Sequence, residues 1–172
     1  MLSLALVVVL GVSSVADVQS PRPNGWVTDQ AHVLDPASTR RLDELADRLH
    51  ADRGIELAVV TVDSVPGTPK QFATALFNHW GIGSAQTHNG LLVLLVMGSR
   101  RLEIETGRGM EAALTSAWLA EMQAQAMVPR FKQRDFPGGL VAGLEAIDAQ
   151  LRAAPGESTS TSAAGEYRSD GV

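Results

Sequence analysis

The sequence contains no cysteine among its 172 residues. Disulfide bonds, thiolate metal sites, cysteine proteases and cysteine phosphatases are therefore excluded together. Lysine is nearly missing as well, since of 14 basic residues only Lys70 and Lys132 are lysines. With a net charge of −5 and no run of like charge longer than two residues, the chain lacks the clustered basic surface that tracks nucleic-acid phosphates. The Arg40-Arg41 and Arg100-Arg101 pairs read as isolated, solvated surface pairs. Signatures of nucleophilic and nucleotide chemistry are also missing: no G-x-S-x-G elbow, no G-x-x-x-x-G-K-[ST] loop and no D-x-D pair occurs. The four histidines, His32, His50, His79 and His88, form no i, i+4 pair around an acid, so no zinc signature is written.

What is present, 45% hydrophobic and 19% charged residues, is the balance of one globular domain whose core needs no staples. The ends differ from the middle. Residues 1–16 carry no charge, and their apolar stretch Leu2 to Val12 is shorter than the about 20 residues that span a bilayer. Small residues Ser14 and Ala16 precede Asp17, the pattern of a signal peptide with its cleavage site; the alternative is an uncleaved N-terminal anchor. Residues 17–23 then read as a linker, 24–153 as the folded unit, and 154–172, rich in Ser, Thr, Gly and Ala, as a disordered polar tail.

Within the folded unit, Asp35-Pro36 opens a helix to Arg53 with Leu42, Leu45 and Leu49 on one stripe and Gly54 closing it. Glu56 to Val62 and Gly90 to Met97 are short apolar runs that suit buried strands. Between them Thr68-Pro69-Lys70-Gln71 matches a capping box, ahead of Phe72, Leu76 and Trp80 at helical spacing. Strand, helix, strand predicts a right-handed parallel crossover. Gly98-Ser99 then predicts a two-residue type II′ hairpin into Arg101 to Thr106, whose Leu102 and Ile104 alternate with Glu103 and Glu105. That alternation implies a solvated face or an edge position. Helical segments follow at Ala112 to Leu114 and Ser116 to Met127, Pro129 must kink or restart the helix, and Asp135-Phe136-Pro137 begins a last helix carrying Leu140, Leu144, Ile147 and Leu151. The expected fold class is α/β, a three-layer sandwich with a small mixed sheet and helices on both faces.

Gly107-Arg108-Gly109-Met110-Glu111-Ala112 spells G-x-G-x-x-A, but the preceding strand carries two glutamates and no acid-tipped buried strand follows, so a dinucleotide site is not expected. Two readings of the turn stay open: glycines serving a tight strand-to-helix connection, or amides of Gly107 and Gly109 holding an anion with Arg108 adding charge. Asn89-Gly90, next to the loop residue His88, could line the same site. Asp29, Glu111 and Asp135 are loop acids that could give oxygen ligands to Ca²⁺ or Mg²⁺.

Several blocks together resemble the TPM domain family of bacterial envelope and thylakoid-lumen proteins. They are Val27-Thr28-Asp29-Gln30-Ala31 with Val33-Leu34, then Phe77 to Gly83, Asn89 to Val96, Ile104 to Glu111, and Pro129-Arg130-Phe131 with Asp135-Phe136 and Gly138-Gly139. The resemblance implies a three-layer α/β fold, export, and a phosphatase activity with divalent-metal binding. The chain departs from the family pattern at Leu114-Thr115-Ser116, where Ser116 stands in place of the usual acid; a hydroxyl is a poor hard-cation ligand, though it can cap a helix. The expected function is thus an extracytoplasmic, noncatalytic envelope binding or assembly module, with a metal-dependent phosphomonoesterase as the alternative. The expected partner is an envelope protein or a small phosphorylated ligand, with no nucleic acid, and with membrane contact only through an uncleaved N-terminal segment.

Overall fold

The computed structural model describes residues 11–154; residues 1–10 of the expected leader and 155–172 of the expected tail lie outside them. Four strands form one open sheet in the order β1-β2-β3-β4, with β1 (Val27–Asp29), β2 (Glu56–Val62) and β3 (Gly90–Val96) parallel and β4 (Arg101–Thr106) antiparallel to β3. Helices cover both faces. On one lie α1 (Pro36–Arg53), α5 (Phe136–Ala153) and the short α3 (Ser116–Met122); on the other lies α2 (Pro69–Trp80). This is the expected α/β sandwich.

The strands divide their side chains between two cores by strict alternation. Leu57, Val59, Leu91, Val93 and Leu95 meet Leu42, Leu45 and Leu49 of α1 and Leu140, Leu144, Ile147 and Leu151 of α5. Ala58, Val60, Val62, Leu92, Leu94 and Val96 meet Phe72, Ala73 and Leu76 of α2. Burial on both faces is why β2 and β3 read as continuous apolar runs. The helix ends follow local chemistry. The Asp35 carboxylate accepts from the N–H groups of Ala37 and Ser38, both at 2.9 Å, and these bonds with the Ser38 hydroxyl hold its pKa below the ordinary 3.8. Gly54 and Gly81 close α1 and α2 in the left-handed conformation. At Thr68 only half of the capping box forms: its hydroxyl accepts from Gln71 N–H at 3.2 Å, while the Gln71 side chain meets that hydroxyl, not the Thr68 amide.

Three connections differ from the sequence expectation. The β3–β4 turn spans four residues, Met97 to Arg100, with Arg100 in the left-handed region at φ 51° and its N–H on the Met97 carbonyl at 3.2 Å. Gly98 has no positive φ, so the turn is not type II′. Its glycine is needed because a Cβ there would sit 2.8 Å from the Asp63 carbonyl, to which Gly98 N–H donates. Residues 112–114 form no helix; a 3-10 turn at Arg108–Met110 takes up the chain instead. Lastly, Pro129 acts upstream of itself: the five residues Gln123–Met127 widen into a π turn, with Val128 N–H donating to the Gln123 carbonyl, before α4 (Val128–Lys132) resumes. A proline ring collides with the carbonyl four residues back and brings no donor, and the wider turn relieves both.

Residues 11–23 lie against the α2 side. Val18 is buried with Val60 and Leu92, Val12 and Val15 pack on the same core, and Val12 N–H reaches the Ser64 carbonyl at 3.3 Å. Arg22 pairs with Glu56 at 2.9 Å. No helix among the described residues is long and apolar enough to cross a membrane.

Candidate functional site

Register across the sheet places the sequence-predicted residues at its two opposite ends. Asp29 lies in the row Asp29–Thr61–Leu95–Leu102, at the ends of β1 and β2 and beside the β3–β4 hairpin. Gly90 pairs with Glu56 at the other end, and Gly107 N–H donates to the Gly90 carbonyl at 2.8 Å. Five steps along β3 separate the rows, about 17 Å at the usual rise.

At the glycine end the structure does bring Asn89, Gly90, Gly107, Arg108 and Gly109 together, by packing backbone on backbone. Gly109 N–H donates to the His88 carbonyl at 3.1 Å. A Cβ on Gly107 would strike the His88 carbonyl oxygen, and one on Gly109 the Thr87 carbonyl oxygen. The amides that an anion would need are therefore already bonded to carbonyls, and Arg108 projects from the turn, exposed. Asn89 stitches three segments: its side-chain oxygen accepts from Ser84 N–H at 3.0 Å, its amide donates to the Gly54 carbonyl at 2.5 Å, and its carbonyl accepts from Glu56 N–H at 3.2 Å. Glu111 is exposed just beyond the turn. Ser116 is the first residue of α3, but the cap is Thr115, whose hydroxyl accepts from Trp118 N–H at 3.2 Å.

At the hairpin end the two acids are occupied. Asp29 accepts from Val33 N–H at 3.1 Å, Leu34 N–H at 2.9 Å and the buried Thr61 hydroxyl, which fixes the turn into α1. Asp135 caps α5 through Gly138 N–H at 2.9 Å and pairs with Arg130 at 3.2 Å. Glu111 is separated from both by the length of the sheet, and among the described residues no three His, Asp or Glu side chains stand close enough to hold a metal ion. The donor set Asp29, Glu111 and Asp135 thus does not assemble around Ca²⁺ or Mg²⁺, and no catalytic step follows from it. Of the histidines, His50 rests against Trp26 with ring centroids 5.2 Å apart, and His32, His79 and His88 are exposed.

The concave feature of this end lies elsewhere. A cavity of about 1000 Å³ opens between β4 and the α3–α4 stretch. Leu95, Met97, Leu102, Val128, Phe131 and Phe136 give it an apolar lining, and Phe131 and Phe136 stack at 5.7 Å. Arg100, Arg101, Lys132 and Arg134 stand around it, with Glu103 the one acid of the lining. None of these four exposed cations has an ion pair or a side-chain hydrogen bond among the described residues, which is equally true of Arg40, Arg48, Arg53 and Arg108; what sets the four apart is that they gather around one apolar cavity. Val128 is the one large apolar side chain among the described residues that is classed as exposed.

β4 is an edge strand, one of the two positions its alternation implied, yet its polar face is covered. Glu105 is not solvated: it lies under α2, bonded to Lys70 at 2.6 Å and to the Thr74 hydroxyl at 3.0 Å. The apolar face, through Leu102, lines the cavity instead. Arg100 and Arg101 are exposed, as a solvated pair should be; what their position in the sequence does not show is that Lys132 and Arg134, some 30 residues on, share the cavity with them. The available clue was local: both cation groups interrupt apolar residues, at Met97 to Leu102 and at Val128 to Phe136.

A family model described as the TPM domain matches residues 27–150. Among solved structures, the N-terminal domain of a protein from P. gingivalis is 30% identical, with 80% of this chain and 90% of that chain covered and a TM-score of 0.74. An N-terminal domain from Corynebacterium glutamicum is 20% identical over 79% of this chain and 86% of that one, with a TM-score of 0.61. A protein from Bizionia argentinensis is 18% identical over 65% and 79%, with a TM-score of 0.53; at these lower identities the likeness is one of fold. No curated protein matches the chain.

Proposed function

We propose that this chain, which belongs to the TPM domain family, is an extracytoplasmic, noncatalytic binding module. Its ligand is anionic with an apolar body and sits in the cavity beside β4. The observation that carries this is the gathering of four exposed cations and only one acid around an apolar cavity. A volume of about 1000 Å³ is at the upper end of ligand pockets, which combine apolar walls with a few polar groups that orient the guest. Cations on such a rim steer and select an anion, and the apolar wall supplies the area that holds it. The apolar stretch Leu2 to Val12 supports placement outside the cytoplasm, where a chain without cysteine relies on its core rather than on disulfides.

The test uses the full chain and anilinonaphthalene sulfonate, an aromatic sulfonate that fluoresces when it enters an apolar site. Saturable binding that weakens with salt is expected, falling about tenfold or more in the Arg100→Glu, Lys132→Glu double variant and unchanged in Arg108→Glu. No saturable binding, or binding lost only in Arg108→Glu, overturns the assignment. Phosphomonoester turnover that Arg108→Ala abolishes would restore the phosphatase reading and place the site at the glycine turn.

A further inference from the structure

β4 is the six-residue edge of the sheet, and the opposite edge, β1, has only three residues. The bond from Gly107 N–H to the Gly90 carbonyl sets the phase of the antiparallel ladder. By its alternation, the N–H and C=O groups of Leu102, Ile104 and Thr106 point away from β3. No other described backbone segment bonds them. A row of unpaired main-chain groups is a template for another strand, and here it runs beside an apolar cavity with basic side chains on both sides of its mouth.

We infer that an extended, acidic segment of a partner protein adds to β4 as a fifth strand, with its alternate apolar side chains in the cavity and its carboxylates against Arg100, Arg101, Lys132 and Arg134. The inference rests on the binding reading above and names its occupant. A compact amphiphile would fill the cavity but leave the main-chain row bonded only to water; a strand satisfies both, because its own side chains alternate with the same period of two. Charge selects the partner, with four cations and one acid on the lining. A second copy of this chain brings mixed charge rather than acids: the antiparallel register that pairs Leu102 with Ile104 opposes the two Glu103 carboxylates, sets each Arg101 opposite a Glu105 that Lys70 already holds, and adds a second set of cations to a mouth that has four.

Amide hydrogen exchange by NMR on the full chain tests this. The probe is the peptide acetyl-Val-Thr-Val-Ser-Val-Glu-Asp-Glu-amide, and its control has Lys in place of the three acids. The acidic peptide is expected to slow exchange about tenfold or more at Leu102, Ile104 and Thr106, with little change at Glu103 and Glu105, whose amides already face β3. The lysine peptide does nothing, and the Arg100→Glu, Lys132→Glu variant loses the effect. No binding of the acidic peptide at millimolar concentration overturns the inference, as does binding without the alternating protection. In either case saturable binding of anilinonaphthalene sulfonate would leave the cavity reading intact, while its loss as well would remove both. Protection already present without peptide also overturns it. If it rises with protein concentration the occupant is a second copy, and if it does not, a segment of the same chain holds the edge.

Discussion

Replacing Gly107 by alanine separates a structural glycine from a ligand-binding one. Its φ of −68° and ψ of 157° suit any residue, so on torsional grounds the change should stabilise the fold by about 0.4–1 kcal/mol through a less flexible unfolded chain. The packing reverses the sign. The new Cβ would enter the His88 carbonyl oxygen and stand 3.2 Å from the Gly90 amide nitrogen. The atoms it meets are backbone atoms at the start of β3, which cannot rotate aside as a side chain would. Overpacking of this kind costs about 1–3 kcal/mol. If the two strands part, the 2.8 Å bond from Gly107 N–H to Gly90 goes with it, a further loss of about 0.5–1.5 kcal/mol. The net expectation is destabilisation by about 1–3 kcal/mol, read in urea as a midpoint lowered by roughly 1 M at an unchanged slope. An unchanged or raised midpoint would refute the packing account and return the turn to the anion-binding reading, in which alanine would fit and only ligand affinity would fall.

Three further outcomes follow from the same geometry. Thr61→Val should lower stability by about 1–2 kcal/mol in urea titration, because it keeps the buried shape but takes the hydroxyl donor from Asp29; Thr61→Ser, which keeps the donor, should lose less, and a larger loss in Thr61→Ser than in Thr61→Val would show that the methyl group matters more. For Asp35 the folded pKa lies below the ordinary 3.8, so its stabilising contribution is present above that value and is lost as pH falls through the folded pKa. Asp35→Asn keeps the cap without the titration, so the stability gap between parent and variant measured by urea at neutral pH should change on acidification to about pH 2; a gap independent of pH contradicts the assignment. A chain trimmed to begin at Asp17 loses the half-buried Val12 and Val15 from the α2-side core and should melt as a domain weaker by about 1–2 kcal/mol. An identical melting curve would mean that these contacts do not form in solution.

The elements that could be read from sequence are those whose instructions are local. In α1 the cap Asp35, the stripe Leu42, Leu45, Leu49 and the stop Gly54 lie within one short stretch, and each does in the fold what its type suggests. β1 gave no such notice. Its three residues Val27, Thr28 and Asp29 are strand only because they register on Val59, Val60 and Thr61, a pairing across some 30 residues that no short window contains. The same distance hid the role of Asp29. An acid before a helix reads equally well as a metal ligand or as a turn-maker, and the residue that decides between them is Thr61, whose hydroxyl completes its shell. Asp135, by contrast, carries its decision beside it in Pro137 and Gly138, and the capping half of its reading was accessible from the start.

β4 shows why the cavity escaped a sequence reading while being a consequence of it. Alternating Leu102, Glu103, Ile104 and Glu105 specifies a strand with one apolar and one polar face, and the default is to bury the first and wet the second. Here α2 lies over the polar face, and it can do so because Lys70 and Thr74 meet Glu105 there. On the other face Leu102 and Ile104 pack against the α1 and α5 core, while Gln123 and Val128, at the two ends of the π turn, line the cavity with Leu102. Leu102 is consequently only half-buried, and Val128 is exposed. The cations around the cavity add a charge preference that a wholly apolar filling would not supply. An apolar cavity beside an unpaired strand edge, with four basic residues and one acid around it, is complementary to an acidic strand with alternate apolar side chains.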